Sequence, residues 1–576
     1  MTAFRVWAPA AGHVALALGP ELRDTRPMAK SDGGWWTLEV AEAGAGTDYG
    51  FCLDGRPARP DPRSAWQPHG VDGPSRVVDH GEFAWTDGAW RGVHLPSAVV
   101  YELHVGTFTP EGTFEAAIDH LDHLVDLGVD LVELMPVAQF GGDRGWGYDG
   151  VDLFAPHEAY GGPVGLKRFV DGCHRKHLGV MLDVVYNHLG PAGNYLQEFG
   201  PYFTDRHTTN WGDAVNFDGA GSDEVRAFVV DNALMWLGDY HLDGLRLDAV
   251  HAIVDTSAVH ILEALSTRVR RLAAHAGRPL WLVAESDLND PRFVRSPELG
   301  GYGCDAAWAD EFHHAVHAVL TGETSGYYED FGPLHKLATA LRRAWVYAGE
   351  YSPHRGRAHG RPPDGLGGER FVVFVQNHDQ VGNRATGERI TDLTSPARAK
   401  VGAALTLLSR FVPMLFQGEE WAASAPFLYF TDHRDAALGR AVSEGRRNEF
   451  ASFGWSPEDV PDPQDPATFQ RSLLDWSEVG RAEHAVMLEW YRTLLQLRRT
   501  LPDLRDPLAP VETEWDDDEG WLVATRGRVA VAANLGAGTV KLDETGELRA
   551  VSSGSVAIDG GGLVLPPDSV AVIERA

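Results

Sequence analysis

Apolar residues in this chain keep two different periods, and the change of period marks the domains. Through the middle of the chain, short continuous apolar runs alternate with stretches in which apolar residues recur every three or four positions. The runs are 99–104, 131–135, 179–185, 244–248, 280–285, 305–309, 371–376 and 412–416. A run that is apolar on both faces reads as a strand of a parallel sheet covered on both sides. The stretches between, such as FEAAIDHLDHLVDLG and DEVRAFVVDNALMWLGDY, read as helices, the second with Ser222 as its expected cap. Eight such repeats predict a (β/α)8 barrel over 95–500. Residues 1–94 (FRVWAPAAGHVALAL, WWTLEV, YGFCLDG) and 501–576 (WLVATRG, VAVAANLG, SVAVIE) carry short alternating runs broken by Pro and Gly. Each predicts an all-β sandwich. The expected fold class is α/β, a TIM barrel between two all-β domains. A long excursion, 189–221, follows the third strand, and the stretch 421–480 follows the eighth. Both leave the carboxyl ends of the strands, where long loops are usually functional.

Four of the apolar runs stop on charged residues: GVMLDVVYNH (179–188), GLRLDAVH (244–251), LWLVAES (280–286) and FVVFVQNHD (371–379). Charged side chains are rarely buried without a partner. One such run alone reads as an ion pair at a barrel mouth. Four in this order bring Asp183, Asn187, His188, Arg246, Asp248, Glu285, His378 and Asp379 to the active face of one barrel. Glycoside hydrolysis needs two carboxyl groups flanking the bond, one acid and one nucleophile or base. Arg246 and Asp248 point to the same side of one strand, so the guanidinium holds Asp248 ionised. A less solvated Glu285 keeps its proton. Asp379 and His378 can grip hydroxyls and stabilise positive charge at the anomeric carbon.

These four segments resemble the signature regions of the α-amylase family of glycoside hydrolases, over roughly 95–480. The resemblance implies a retaining mechanism with Asp248 as nucleophile, Glu285 as acid/base and Asp379 as transition-state stabiliser. It implies substrate-clamping roles for Arg246, His188 and His378, with His251 beside them. Asp183 and Asn187 match positions that support the site, and Tyr148 in GWGYDG the aromatic that stacks on the sugar. The flanking segments ELMPVAQFGGDRGWGYDGV, AESDLNDPR, DEFHHAVHAVLTGETSGYY and QNHDQVGNRATGER resemble the trehalose-releasing members of the family. They imply hydrolysis of the α-1,4 bond beside the terminal trehalose of maltooligosyltrehalose, leaving maltooligosaccharides. They also imply a functional pairing with a maltooligosyltrehalose synthase. Trp211, Asp310, Glu311 and His313 resemble positions lining the trehalose side; of the adjacent His313 and His314, one faces the cleft. Glycogen branching enzymes of the same family, the alternative reading together with debranching enzymes, usually carry HDE where this chain has His378, Asp379 and Gln380. The resemblance also implies a carbohydrate-binding-module-like N-terminal domain, which either binds glucan or only packs.

Composition adds limits. The chain has 18 Trp, and sugar C–H faces pack on aromatic rings. Trp146 and Trp211 have Gly and polar neighbours and are assigned to the cleft; Trp236 has helical apolar neighbours and is assigned to the core. The segment HRGRAHGRPPDGLGGER (354–370) is either a solvated loop or a source of Arg and His for substrate. A net charge of −32, from 82 acidic and 50 basic residues, disfavours nucleic acid and anionic membranes. No apolar run reaches the roughly 18 residues of a membrane span. MTAFRVWAP lacks a secretory pattern, and the three Cys are scattered, so the expected location is the cytoplasm. The excursion holds Asp205, Asp213 and Asp218 but no carboxylate cage. Neither a metal nor a cofactor is expected.

Overall fold

The computed structural model describes residues 2–451, 456 and 459–576. Its centre is a closed barrel of eight strands: β1 (Val100–Leu103), β2 (Leu131–Leu134), β3 (Gly179–Val184), β4 (Gly244–Leu247), β5 (Trp281–Ala284), β6 (Ala306–Trp308), β7 (Phe371–Phe374) and β8 (Val412–Phe416). They pair in that order and β8 returns to β1, every pair parallel. The strands read as continuously apolar because both faces are covered. Val100, Leu131, Met181, Val283, Ala306, Val372 and Val412 fill the lumen as one cluster. The residue two positions further along a strand points the same way. On β1, β2 and β3 that residue is Glu102, Glu133 and Asp183, and Arg246 of β4 is the register partner of Asp183. On β6 and β7 it is aromatic, Trp308 and Phe374. A charged layer therefore sits directly on an apolar plug, and all four charged side chains are buried. At that depth each needs a partner or must give up its charge.

The helices that fix the site are α1 (Ser222–Gly238), α2 (Asp310–Thr321), α3 (Pro396–Leu407), α4 (Ala436–Ala451) and α5 (Ala482–Thr500). The expectation that Ser222 caps α1 fails. Gly221 is the cap, at φ 78, and no side chain bonds the first turn. Glycine reaches that left-handed conformation without steric cost, so Ser222 falls inside the helix. Among the described residues no helix is long and apolar enough to cross a membrane.

Two antiparallel sheets, of three and four strands, form the N-terminal domain, and sheets of five and three strands form the C-terminal one. The N-terminal domain packs on the excursion after β3. Trp7 meets Tyr202 edge-on at 5.5 Å, Arg59 pairs with Glu198 at 2.9 Å, and the Tyr195 hydroxyl donates to Asp72 at 2.6 Å. The excursion itself is a short helix, Leu196–Phe199, and a hairpin, Phe203–Thr209 with Gly212–Val215, whose turn carries Trp211. Within it Asp218 is already engaged by Arg206 and His207, each at 3.2 Å. Of the stretch 421–480, residues 452–455, 457 and 458 lie outside the described residues; its helix α4 reaches the cleft.

Candidate active site

Arg246 organises the carboxyl end of the barrel. Its guanidinium is fully buried and lies over the Trp308 ring at 4.2 Å. It contacts Asp183 at 2.7 Å, Asp248 at 2.9 Å and Glu285 at 3.6 Å. Three carboxyls around one cation, out of water, cannot all ionise freely. Burial raises Asp183 to about 6 and Glu285 to about 8, and the Arg246 charge offsets only part of each rise. Glu285 is therefore a carboxylic acid at neutral pH. Asp248 instead accepts from Arg246 and from Asn187 Nδ2, the latter at 2.7 Å. The two side chains keep 13% and 15% of their surface open, enough for substrate to reach both.

The backbone after Asp248 is bent to suit. Ala249 sits at φ 38, a conformation that side chains rarely adopt. Its N–H donates to Glu285 Oε2, and the Val250 N–H donates to the Glu285 carbonyl at 3.0 Å. Strain of this kind costs of order 1–3 kcal/mol and persists where neighbours hold it. Here it ties the turn after one carboxyl to the other.

His378 and Asp379 open a short helix whose first turn is bonded by Asn377 Oδ1. His378 Nδ1 and Glu102 Oε1 lie 2.5 Å apart, and Glu102 Oε2 accepts the His378 N–H at 2.9 Å. Burial lowers the imidazole, but the Glu102 and Asp379 charges outweigh it and raise His378 to about 9. Tyr148 bridges the two halves of the site: its hydroxyl is 2.6 Å from Asp183 Oδ2 and 2.7 Å from His378 Nε2. His188 stacks on Trp211 with centroids 4.6 Å apart and planes 5° from parallel, and its Nε2 meets the Tyr148 carbonyl at 3.1 Å. Trp211 is half exposed. A cleft of about 880 Å³ runs away from Asp379, lined by Asp310, His314, Tyr327, Arg355 and Phe450. Among the described residues no group of three His, Cys, Asp or Glu could hold a metal ion.

The carboxyl end of the barrel thus sets a protonated Glu285 and the carboxyl of Asp248 around one guanidinium, with an aromatic- and carboxylate-lined cleft adjoining at Asp379. Known families match along the chain. The α-amylase catalytic domain matches residues 78–211, carbohydrate-binding module 48 (isoamylase N-terminal domain) residues 1–65, and a domain of unknown function residues 508–572. A malto-oligosyltrehalose trehalohydrolase of Rhizobium sp. (strain M-11) is 50% identical over 99% of this chain and 97% of its own length. One from Arthrobacter ramosus is 51% identical over 99% of both. The chain belongs to the malto-oligosyltrehalose trehalohydrolase family. A crystal structure of a putative alpha amylase from Salmonella typhimurium superposes with a TM-score of 0.91 at 42% identity, covering 100% of this chain and 97% of that one.

For a member of this family, most residues expected at the site come together: Asp183, Asn187, His188, Arg246, Asp248, Glu285, His378, Asp379, Tyr148 and Trp211 share the one network above. Asp310 lines the adjoining cleft, where burial and the Asp379 and Asp287 charges raise it to about 7. His251 is exposed on the turn Val250–Ala252 beyond Asp248.

Three expectations are corrected. Glu311 does not face the cleft: Oε2 accepts the Val346 and Tyr347 N–H groups at 2.7 and 2.8 Å beneath the surface. His313 is fully buried, between the Val375 carbonyl at 2.6 Å and the Tyr328 hydroxyl at 3.0 Å. The histidine in the cleft is His314, because residues four apart share a helix face and Asp310 already lies on that face. Trp146 is no platform; it is buried, stacked on Phe427 at 5.2 Å, with Nε1–H donating to the Leu428 carbonyl at 2.9 Å. Trp236 is core, as expected.

Sequence reasoning missed Glu102. It interrupts the apolar run VVYEL one residue before its end, as Asp183 interrupts GVMLDVV, so the same kind of signal is present. It also left the loop 354–370 open. Arg355 of that loop reaches the cleft and pairs with Asp287 at 3.1 Å.

Proposed function

We propose that this chain hydrolyses the α-1,4-glucosidic bond beside the terminal trehalose of maltooligosyltrehalose with retention, releasing trehalose and a maltooligosaccharide. The observation that carries the reading is Arg246, one buried cation shared by Asp248 and Glu285, with burial keeping the second protonated. Asp248 Oδ attacks the anomeric carbon as the bond to the trehalose oxygen breaks. Glu285 gives its proton to that oxygen, and trehalose leaves. Glu285, now a carboxylate, takes a proton from water, whose oxygen displaces Asp248 from the anomeric carbon and restores the configuration. Asp379 lies outside the Arg246 contacts, 3.5 Å from the His378 ring, and carries the negative charge that steadies the cationic ring in between. Tyr148 offers its ring to that sugar and His188 lies beside it, with His251 at the rim, whereas Arg246 and His378, buried and already bonded to Asp183, Asp248, Glu102 and Tyr148, position these groups rather than grip hydroxyls themselves. Trp211, Asp310 and His314 line the trehalose side. Asp183 and Asn187 hold Arg246 and Asp248 in place.

The reading includes a cytoplasmic setting, supported by scattered free thiols, and a synthase that supplies the trehalose end. It also includes the division 1–94, 95–500 and 501–576. The relatives named above support the substrate. The test compares maltopentaose with the same chain ending in trehalose. Free trehalose from the second, with little hydrolysis of the first, is expected. Equal cutting of both, or new α-1,6 links, overturns the reading.

A further inference from the structure

A second cavity, of about 310 Å³, lies at the opposite end of the barrel. It opens where β8 and β1 begin, against the C-terminal domain. Five arginines line it, Arg410, Arg498, Arg499, Arg505 and Arg526, with Asp130 as the only acid in its wall. In a chain of net charge −32, that local excess of cations runs against the whole surface.

Part of the cluster has a structural role. Arg498 and Arg499 end α5, where cations suit the helix dipole. Arg498 donates to the carbonyls of Leu407, Ser409 and Phe411, closing the end of α3. Arg526 does the same for Leu408, Ser409, Leu504 and Asp506. Carbonyls satisfy donors but do not neutralise charge. Arg498 is pushed down to about 9 by burial and by Arg526, and Arg526 to about 10 by burial and by Arg410. Of the five, only Arg499 has a carboxylate partner among the described residues, Asp130 at 2.7 Å. Among the described residues the Arg410 side chain donates only to the Pro507 carbonyl, at 3.2 Å, and the Arg505 side chain makes no ion pair or hydrogen bond, its backbone N–H alone donating to the Pro502 carbonyl at 3.0 Å. The Nε–H of Arg526, a side chain 3% exposed, has no acceptor. The structural role thus leaves one guanidinium without a partner among the described residues, that of Arg505, a second held by a single carbonyl, that of Arg410, and one buried, unanswered donor around a cavity large enough for a small metabolite.

We propose that this cavity binds a phosphate group, carried by a phosphate monoester of hexose size. Guanidinium forks match phosphate oxygens, and several cations converging from four segments of the chain favour a multiply charged anion over a carboxylate. The ester's uncharged part faces the opening, beside Pro96 and Pro507.

Calorimetric titration of the full chain in a chloride buffer of fixed ionic strength tests this, with inorganic phosphate and glucose 6-phosphate as probes. Glucose 6-phosphate is expected to bind with a Kd of about 1 mM or tighter. Arg410→Ala with Arg505→Ala is expected to weaken it at least tenfold, while trehalose release stays as in the parent, because neither side chain touches the catalytic face; the melting temperature falls only by the worth of the single Arg410–Pro507 hydrogen bond. Arg410→Lys with Arg505→Lys retains part of the affinity. Tighter binding of the ester than of inorganic phosphate assigns the site to a metabolite; equal binding overturns the ester and leaves a phosphate site. Absence of binding by either probe up to about 10 mM, or unchanged affinity in the alanine variant, overturns the proposal.

Discussion

Replacing Glu285 by Gln keeps the shape of the side chain and removes its proton, and the structure sets two opposite consequences. The first is catalytic. With Glu285 raised to about 8 by burial, about nine-tenths of the free enzyme carries the proton at pH 7 and about one-tenth at pH 9. An acid must be protonated to act, so kcat/KM for trehalose release is expected to hold through neutral pH and fall about tenfold by pH 9. The Gln variant loses roughly 10²–10⁴-fold in rate, and that alkaline limb disappears with it. The second consequence is stability. A carboxyl raised in the folded state favours folding fully only below its ordinary value of 4.5, and loses that contribution as pH rises to about 8. At pH 7 the unfolded carboxyl is ionised and the folded one is not. The difference from the ordinary value, 2.5 pH steps at about 1.4 kcal/mol each, costs about 3 kcal/mol. Gln has no such cost, so the inactive variant should unfold later than the parent at pH 7 and lose that advantage near pH 4. The assays are trehalose release against pH and denaturant unfolding at the two pH values. A parent rate retained in the variant, an alkaline limb that survives the substitution, or a variant less stable at pH 7 would refute the reasoning.

Asp248→Asn should abolish turnover, and mass spectrometry should find no glycosyl-enzyme in it; a covalent adduct in that variant removes Asp248 as nucleophile. Glu102→Gln takes away the charge that holds His378 at about 9, so the imidazole resonances should titrate at least one pH step lower. An unmoved titration shows that Glu102 is not the cause. Trp211→Ala should raise KM roughly 3- to 10-fold, the worth of a stacked ring at about 0.5–1.5 kcal/mol, with melting unchanged. His314→Ala should change KM and leave the fold intact, whereas His313→Ala should lower stability by about 1–3 kcal/mol through unpaired buried groups. The reverse pattern would put His313 back in the cleft.

The barrel was legible because its strands are covered on both faces and carry one unbroken apolar signal each. The residues that end those strands were legible for the same reason: a charge that interrupts an apolar run must be answered by something, and in a barrel the answers converge. Glu102 shows that the signal was wider than the four segments read from it. It answers His378 across β1 and β7, a partnership of residues 276 positions apart, and no local pattern announces which acid meets which base. The helix α2 marks another limit. DEFHH places four polar residues in five positions, and periodicity alone gives two possible cleft faces. The choice between His313 and His314 rests on how α2 is rotated on β7, and in that orientation Glu311 reaches the backbone of residues 346 and 347, a contact with a loop that has no periodicity at all. Trp146 failed for a related reason. Its Gly and polar neighbours marked an irregular segment, but the ring is buried by Phe427 from beyond β8. A glycine-rich stretch tells that the backbone turns there; which side chains cover the turn depends on segments that arrive from elsewhere in the chain. The active site is accordingly most readable where strands deliver residues and least readable where loops close over them, and in this fold the loops are what distinguish one substrate from another.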